Sequence, residues 1–414
     1  MLALDAVIFG GGAAGLWLLD RLSRDGARVV LLEASALGAG QTISAQGIIH
    51  GGLKYTLQGL LTKSARHIRG MPGVWRDALL GRVSPNLTRT SLRSDCCHLW
   101  QTESLSSTAG MIGAKIGLQV KPEYLEHAER PAALAHVPGN VAKLAEQVIS
   151  PASFLADLFE QYQDRILKID AEQGLEFKIR SPGEVAAIHL TLNGQRLSLS
   201  PRQVIFTAGA GNSRLRQQVG LSADVLQLRP LHMVLVRGVL PELNGHCVDG
   251  SATRVTITSD RDELGRTVWQ IGGQIAEEGV GRDPLTLTQR AKQELTAVLP
   301  GVNFADAEWS TYAVDRAEGQ TAGGKRPDSV QVLCAGNVTT GWPTKLALAP
   351  VLALEIASRV QPSDHGLMFD TTPLADWPRP AVALLPWQDQ NRSWWPLELP
   401  TGRQPDLVPD RRAA

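Results

Sequence analysis

Three glycines near the start of the chain have the spacing of a phosphate-binding turn. Gly10, Gly12 and Gly15 form the pattern GxGxxG directly after the apolar segment 4–9. The first glycine permits a tight turn, the second lets a pyrophosphate approach the backbone, and the third lets a helix pack closely on a strand. The chemistry that this pattern favours is the binding of a dinucleotide at a helix N-terminus.

The residues that follow supply the elements that such a turn needs. Segment 16–25 has leucines at helical spacing, Gly26 ends it, and the apolar segment 27–32 predicts a second buried strand. Glu33 comes next, 18 positions after Gly15 (33 − 15 = 18), where a carboxylate can bind ribose hydroxyls. This order predicts a dinucleotide-binding unit, and the alternative is a glycine-rich turn without a ligand.

The composition excludes several classes of protein. The chain has 414 residues, with 41 Lys and Arg against 41 Asp and Glu, so its formal net charge is zero. A broad basic surface for nucleic acid is therefore not expected. None of the four cysteines has CxxC spacing, and we predict no metal site. No apolar run reaches the ~18 residues of a membrane helix, so we expect a cytoplasmic protein, alternatively one peripheral on the inner face of the membrane.

A second small-residue stretch, segment 39–55, is suited to lining a large flat ligand, and it ends in the sequence IIHGGLKY. This sequence resembles the flavin-contacting loop of FAD-dependent glycerol-3-phosphate dehydrogenases and of L-2-hydroxyglutarate dehydrogenases. Both belong to the D-amino-acid-oxidase-like (DAO) superfamily of FAD-dependent oxidoreductases. The resemblance implies FAD as the cofactor and a glutathione-reductase-type FAD-binding domain.

Further segments resemble the same superfamily. Segment 148–155 is similar to the start of the helix that returns to the FAD domain, and 183–188 to the strand whose valine touches the adenine. Segment 204–211 resembles the second FAD motif, while 332–336 and 340–350 resemble the closing motif that faces the flavin pyrimidine. The glycine turn and the resemblance together predict FAD contacts at Gly10, Gly12, Ala13, Ala14, Gly15, Glu33, Ala34, Gln41, Thr42, Ser44, Ala45, Gln46, Gly47, Val185, Ala208, Gly209, Gly211, Gly336, Gly341, Thr344, Lys345 and Leu346.

The predicted fold class is α/β with an α+β insert: a FAD-binding Rossmann domain with an interleaved antiparallel-sheet substrate domain. We assign 1–83, 146–221 and 326–362 to the FAD-binding domain, and 84–145 and 222–325 to the substrate-binding domain. Within the second insert the patterns predict three strands and a helix, at Leu231–Val236, Arg254–Thr258, Thr267–Ile271 and Thr288–Leu299.

The segment 363–414 is rich in proline and tryptophan. Prolines prevent long regular elements, whereas tryptophans favour burial. We interpret this tail as an extended strap packed on its own protein. A contact with a partner, another subunit or a membrane surface is the alternative, and disorder is a third, mainly past Gly402.

Oxidation of an alcohol by a flavin needs a C–H directed at flavin N5, a base for the hydroxyl proton and cations for an anionic substrate. His232 and His50 are the candidate bases. The resemblance implies that Lys54 and Arg316 hold a negative group, with Tyr55 just beyond Lys54. Lys345 lies in the segment that resembles the closing flavin loop, where a cation could stabilise the flavin anion or bind the substrate. Where the glycerol-3-phosphate enzymes have arginine, Lys54 lacks the bidentate fork.

These residues favour a FAD-dependent dehydrogenase or oxidase that transfers hydride from a small, anionic alcohol or 2-hydroxy acid to flavin N5. A FAD-dependent amino-acid or amine oxidase or dehydrogenase is the alternative. A non-catalytic alternative is a flavin-binding subunit of a hetero-oligomeric dehydrogenase, docked by its tail. The predicted partner is a small-molecule substrate, and oxygen, a quinone and a protein all remain open as the electron acceptor.

Overall fold

The computed structural model describes residues 1–51, 68–102, 122–249, 252–363 and 369–397. The strands are β1 (Leu2–Phe9), β2 (Val29–Glu33), β3 (Leu92–Ser94), β4 (Cys97–Gln101), β5 (Glu123–Tyr124), β6 (Val141–Leu144), β7 (Val148–Ile149), β8 (Ile166–Lys168), β9 (Leu175–Ser181), β10 (Glu184–Leu192), β11 (Gln195–Phe206), β12 (Leu226–Gly238), β13 (Gly245–Asp249), β14 (Ala252–Arg261), β15 (Thr267–Gly272), β16 (Glu308–Gly319), β17 (Gln331–Ala335), β18 (Val338–Trp342) and β19 (Trp395–Pro396). The helices are α1 (Ala13–Arg24), α2 (Met71–Leu79), α3 (Pro151–Tyr162), α4 (Asn212–Gln218), α5 (Gln274–Glu278), α6 (Pro284–Val298) and α7 (Ala349–Ala357). Short 3-10 turns lie at His127–Glu129, Ala132–Leu134, Gln163–Arg165, Gly209–Gly211, Ala322–Gly324, Leu346–Leu348, Thr372–Leu374 and Pro386–Gln388.

The first sheet has the order β17-β18-β11-β1-β2-β8, with β10 and β9 joined to β11 as an antiparallel extension. Its four central pairings, β18 with β11, β11 with β1, β1 with β2, and β2 with β8, are parallel. Helices α1, α3 and α7 pack together, and β1 is apolar and buried along most of its length. A strand buried on both faces needs a continuous apolar run rather than alternation, and segment 4–9 has one.

The second sheet has the order β19-β16-β12-β15-β14-β13-β4-β6-β5 and is antiparallel except for β13 with β4. Strand β16 pairs over its whole length with β12, from Leu226 opposite Gly319 to Arg237 opposite Glu308. Its core contains the fully buried Trp100, which belongs to the same cluster as α6 residues. The three strands and the helix predicted in the second insert are confirmed as β12, β14, β15 and α6. Three of them start earlier than predicted, whereas β15 starts at the predicted residue and ends one residue later.

The described part of the tail, 369–397, runs across both sheets. Its middle forms two backbone hydrogen bonds with Leu37: Leu37 N donates to Ala381 O (2.8 Å), and Ala383 N donates to Leu37 O (3.0 Å). The Trp377 indole donates to Lys168 O (2.8 Å) in the first sheet, and β19 pairs with β16 in the second. The described tail is thus an extended strap on its own chain.

Within the described ranges, every helix is too short or too polar to cross a bilayer.

Candidate active site

The glycine turn has the close backbone approach that its sequence predicts. Gly10 has φ +104°, and a Cβ there would lie 2.5 Å from Ala208 Cα. A Cβ on Gly15 would lie 2.0 Å from the carbonyl oxygen of Gly10. Side chains at these positions would therefore separate β1 from β11 and α1 from the turn.

The N-terminus of α1 is open to an anion. The helix begins at Ala13 with Gly12 as its N-cap, has no acidic residue in its first turn and has no side-chain cap. The nearest hydroxyl is that of Thr42, which accepts from Ala13 N (3.2 Å). Ala14 is also in the first turn. The amides of the first turn and the helix dipole favour a pyrophosphate at this position.

The Glu33 carboxylate lies at the end of β2, against this turn. It accepts hydrogen bonds from Gly11 N (2.6 Å) and Ser35 N (2.7 Å). These bonds fix the carboxylate beside the phosphate-binding amides, where ribose hydroxyls can reach it. The next residue, Ala34, accepts a bond from Lys168 Nζ through its carbonyl oxygen.

The loop after β2 joins the two sheets. Gln41 Oε1 accepts from Ala317 N (3.0 Å), and the Gln46 amide donates to Thr256 O (3.0 Å) and Gln270 O (2.8 Å). A cavity of about 210 Å³ opens between this loop and the second sheet. Of the residues predicted from sequence, eight line it: Ser44, Ala45, Gln46, Gly47, His50, Arg316, Lys345 and Leu346.

The closing motif packs against the end of β11. The Ala208 amide donates to Asn212 Oδ1 (2.8 Å), and Trp342 Nε1 donates to Gly209 O (3.3 Å). Thr344 has φ +61°, although it is not glycine, and its buried hydroxyl has no hydrogen-bond partner among the described residues. A strained backbone and an unmatched buried polar atom are features that occur together at ligand-binding sites. Two further predicted contacts lie in this region. A Cβ added to Gly211 would lie 3.4 Å from Ala208 Cβ. The carbonyl oxygen of Gly341 accepts a hydrogen bond from Asn212 Nδ2.

Cations are concentrated along one wall of the cavity. Burial lowers the pKa of Arg316 to about 10, with help from Arg229 and Arg326, while Glu277 opposes the shift. Arg316 Nη1 lies 3.3 Å from Glu277 Oε1. Burial and Arg326 also lower the pKa of Lys345 to about 7. This wall offers an anionic ligand two guanidinium groups and an amine.

His50 also lines the cavity and lies beside a buried carboxylate. Its Nδ1 is 3.5 Å from Glu146 Oε2, while Glu146 Oε1 accepts from Gly51 N (2.6 Å). Glu146, Arg326 and Glu277 were missed in the sequence. Glu146 lies 96 positions after His50 (146 − 50 = 96) and outside any motif, so no local spacing signal could have identified it.

His232 is not at the cavity, contrary to the prediction. Its neighbours Leu231 and Met233 both line the cavity, and alternation along β12 directs His232 to the opposite face. There its Nδ1 lies 3.2 Å from Gly279 O.

Val185 and Gly336 also lie away from the other predicted cofactor contacts. Both backbone polar groups of Val185 are bonded to the Asn337 side chain (2.8 and 2.9 Å). Gly336 precedes β18, and a Cβ on it would lie 2.4 Å from Gly183 O. The ligand end of a parallel sheet is the carboxyl end of its strands, whereas these residues lie at the amino end of β18.

Lys54 and Tyr55 lie outside the described residues, so their predicted roles stay predictions.

Comparison with known proteins identifies the family. The model of the DAO family, described as FAD dependent oxidoreductase, matches residues 5–353. The chain belongs to this family. It is 36% identical over 397 residues to the FAD-dependent oxidoreductase PA4991 of Pseudomonas aeruginosa, covering 94% of this chain and 98% of the relative. The FAD-dependent oxidoreductase described here therefore has the predicted cofactor and fold class, and its glycine turn, Glu33 and the Thr344 hydroxyl suit FAD.

Solved structures agree on the fold. The crystal structure of PA4991 has a TM-score of 0.77 at 34% identity, covering 93% of this chain and 98% of its own. Glycine oxidase from Geobacillus kaustophilus has a TM-score of 0.59 at 16% identity, covering 90% and 98%. L-alpha-glycerophosphate oxidase from Mycoplasma pneumoniae, solved with FAD bound, has a TM-score of 0.58 at 15% identity, covering 87% and 95%. The last two likenesses concern the fold alone.

Proposed function

We propose that this FAD-dependent oxidoreductase oxidises a small anionic alcohol, with a 2-hydroxy acid as the substrate class. The observation that carries the proposal is that Arg316, Arg326 and Lys345 line one cavity together with residues 44–48 of the loop after β2. An anionic group held by these cations would lie in the same cavity as His50. Charge-assisted hydrogen bonds from guanidinium groups are the strong, oriented contacts that a carboxylate needs.

Each group has a defined task in this proposal. FAD, when bound, supplies the acceptor for the hydride. Arg316 and Arg326 bind the substrate carboxylate and orient the C–H bond. His50 accepts the hydroxyl proton at Nε2, because its Nδ1 faces Glu146. Glu146 acts as a positioning residue, since its carboxylate selects the ring orientation that leaves Nε2 toward the cavity.

An anaerobic flavin-bleaching screen tests the substrate class. The yellow protein is mixed without oxygen with 2-hydroxy acids, glycerol phosphate, amino acids and amines in turn. We expect a 2-hydroxy acid to bleach the flavin absorbance. Bleaching by amino acids or amines alone would overturn the proposal.

The second candidate is an amino acid as substrate. Glu277 also lines the cavity, and a carboxylate there could bind a substrate ammonium. Its contact with Arg316 favours the alcohol, because that carboxylate is already paired. Replacing Glu277 with Gln separates the two: amino-acid oxidation would lose affinity, whereas 2-hydroxy-acid oxidation would not.

A further inference from the structure

Three potential metal ligands from distant parts of the chain meet around a histidine that lines the cavity. They are His50, Glu146 and His246, and their ligand atoms all lie within 4.8 Å of one another. We propose that these side chains form a binding site for one divalent transition-metal ion, with Zn²⁺ as the probe. Two imidazoles and one carboxylate are a common donor set for such ions.

The backbone brings the first two ligands together. Ile49 N donates to Gln147 O (2.8 Å), and Ile149 N donates to Gly47 O (3.0 Å). These bonds join residues 47–49 of the loop after β2 to segment 147–149, so that His50 lies directly beside Glu146. The arrangement is part of the fold rather than a chance approach of two surface side chains.

His246 is held on β13 by the second sheet. It is buried, and its Nδ1 lies 2.9 Å from Thr256 Oγ1. The His50 and His246 rings are 5.4 Å apart, with an angle of 31° between their planes. A polar group bonded to one ring nitrogen usually orients a metal-binding histidine. Because the Thr256 hydroxyl is bonded to Nδ1 of His246, Nε2 is the nitrogen of His246 left to bind the metal.

The charge of Glu146 also favours a cation. Its side chain is only 4% exposed. Among the described residues, no lysine or arginine lies within ion-pair distance of it. Its carboxylate contacts Gly51 N and the Nδ1 atom of His50. A buried carboxylate is costly unless a positive charge accompanies it. A divalent ion on two neutral imidazoles would supply that charge.

The ligands need only a small movement to close on a metal. Bond lengths of about 2.0–2.2 Å place tetrahedral donors about 3.4 Å apart. Because the ligand atoms all lie within 4.8 Å of one another, no pair has to approach by more than roughly 1.4 Å. His50 is the most exposed of the three, at 26% of its side chain, and can supply this movement by rotation. Glu146 and His246 are fixed by their own hydrogen bonds.

Metal binding would inhibit the enzyme, and this consequence rests on the proposed function of His50. A histidine bound to a metal through Nδ1 keeps its proton on Nε2 and cannot accept another there. The site therefore predicts reversible inhibition by Zn²⁺ that a chelator removes.

The test measures binding before activity. FAD-loaded protein is stripped with a chelator and titrated with Zn²⁺ by calorimetry, with metal content checked by mass spectrometry. We expect one Zn²⁺ per chain, and Co²⁺ in its place should give absorption bands beyond the flavin spectrum. His246→Gln should weaken binding by more than the about 10- to 100-fold typical of losing an outer-shell partner. The matched control is His98→Gln, on the neighbouring strand β4 and outside the ligand set.

The outcomes separate the two proposals. No stoichiometric binding to the wild type, or equal binding to the wild type and His246→Gln, would overturn the metal site. Binding with loss of substrate-driven flavin bleaching in the wild type, but not in His246→Gln, supports both proposals. Binding without inhibition supports the metal site and overturns His50 as the base.

Discussion

At the residue scale, Lys345 is the group whose charge is most sensitive to its surroundings. Burial, followed by the nearby Arg326 guanidinium, lowers the pKa of its ammonium to about 7, although Asp328 and Glu318 oppose the shift. A lysine near neutrality changes charge within the working pH range of an enzyme. The strength of the anion site should therefore depend on pH.

Oxalate, a small dicarboxylate, serves as the probe of the anion site. We expect its affinity to fall by about tenfold at most as the pH rises from about 6 to about 8, because Lys345 is charged below its pKa and neutral above it. The dissociation constant is measured from the flavin absorbance change. Lys345→Arg should flatten this dependence, since a guanidinium stays charged throughout. An unchanged pH dependence in that variant would show that another group is responsible.

At the scale of single elements, the glycine turn between β1 and α1 is the part most firmly fixed by sequence. The turn, the helix and the acid at the end of β2 all follow from local spacing. By contrast, the position of His232 required knowing which face of β12 meets the cavity. Val185 and Gly336 were misplaced because short similar segments do not reveal which end of a strand carries them.

A pair of glycine variants tests this turn. Gly10→Ala should abolish FAD retention, because the new Cβ would lie 2.5 Å from Ala208 Cα. Gly26→Ala is the matched control: it also has positive φ (+83°), but nothing lies within 4 Å of its added Cβ. The control should keep its FAD and lose only about 1 kcal/mol of stability. The readout is the ratio of flavin to protein absorbance after purification, and equal ratios would refute the steric argument.

At the scale of the whole molecule, the strap connects the two sheets. It forms backbone hydrogen bonds with Leu37. The Leu37 side chain packs on the glycine turn, so closely that a Cβ added to Gly11 would lie 2.3 Å from Leu37 Cδ2. It also adds β19 to the edge of the second sheet. Composition predicted a packed tail, but its path could not be predicted, because two-residue pairings leave no periodic pattern. The interleaved domain boundaries at 84–145 and 222–325 remain a proposal.

Removing residues 364–414 should lower the unfolding temperature and leave the molar mass by light scattering unchanged. The reason is that the described strap buries Trp377, Trp387 and Trp395 against its own chain, and loss of one such tryptophan typically costs about 3–5 kcal/mol. Calorimetry and light scattering of the FAD-loaded protein give both quantities. A change in assembly at constant stability would instead favour the alternative of a docking tail.

Arg316 is the residue that, in the proposed function, binds the negative group of a substrate that reduces the flavin. The most direct measurement is stopped-flow flavin reduction by the best 2-hydroxy acid, without oxygen, in the wild type and in Arg316→Ala. Loss of a charged hydrogen bond, worth about 1.5–3 kcal/mol, should raise the substrate dissociation constant about 10- to 150-fold. The limiting rate should change much less, and Arg214→Ala, an exposed arginine paired with Glu172, should behave as the wild type. An unchanged dissociation constant in Arg316→Ala would contradict the account.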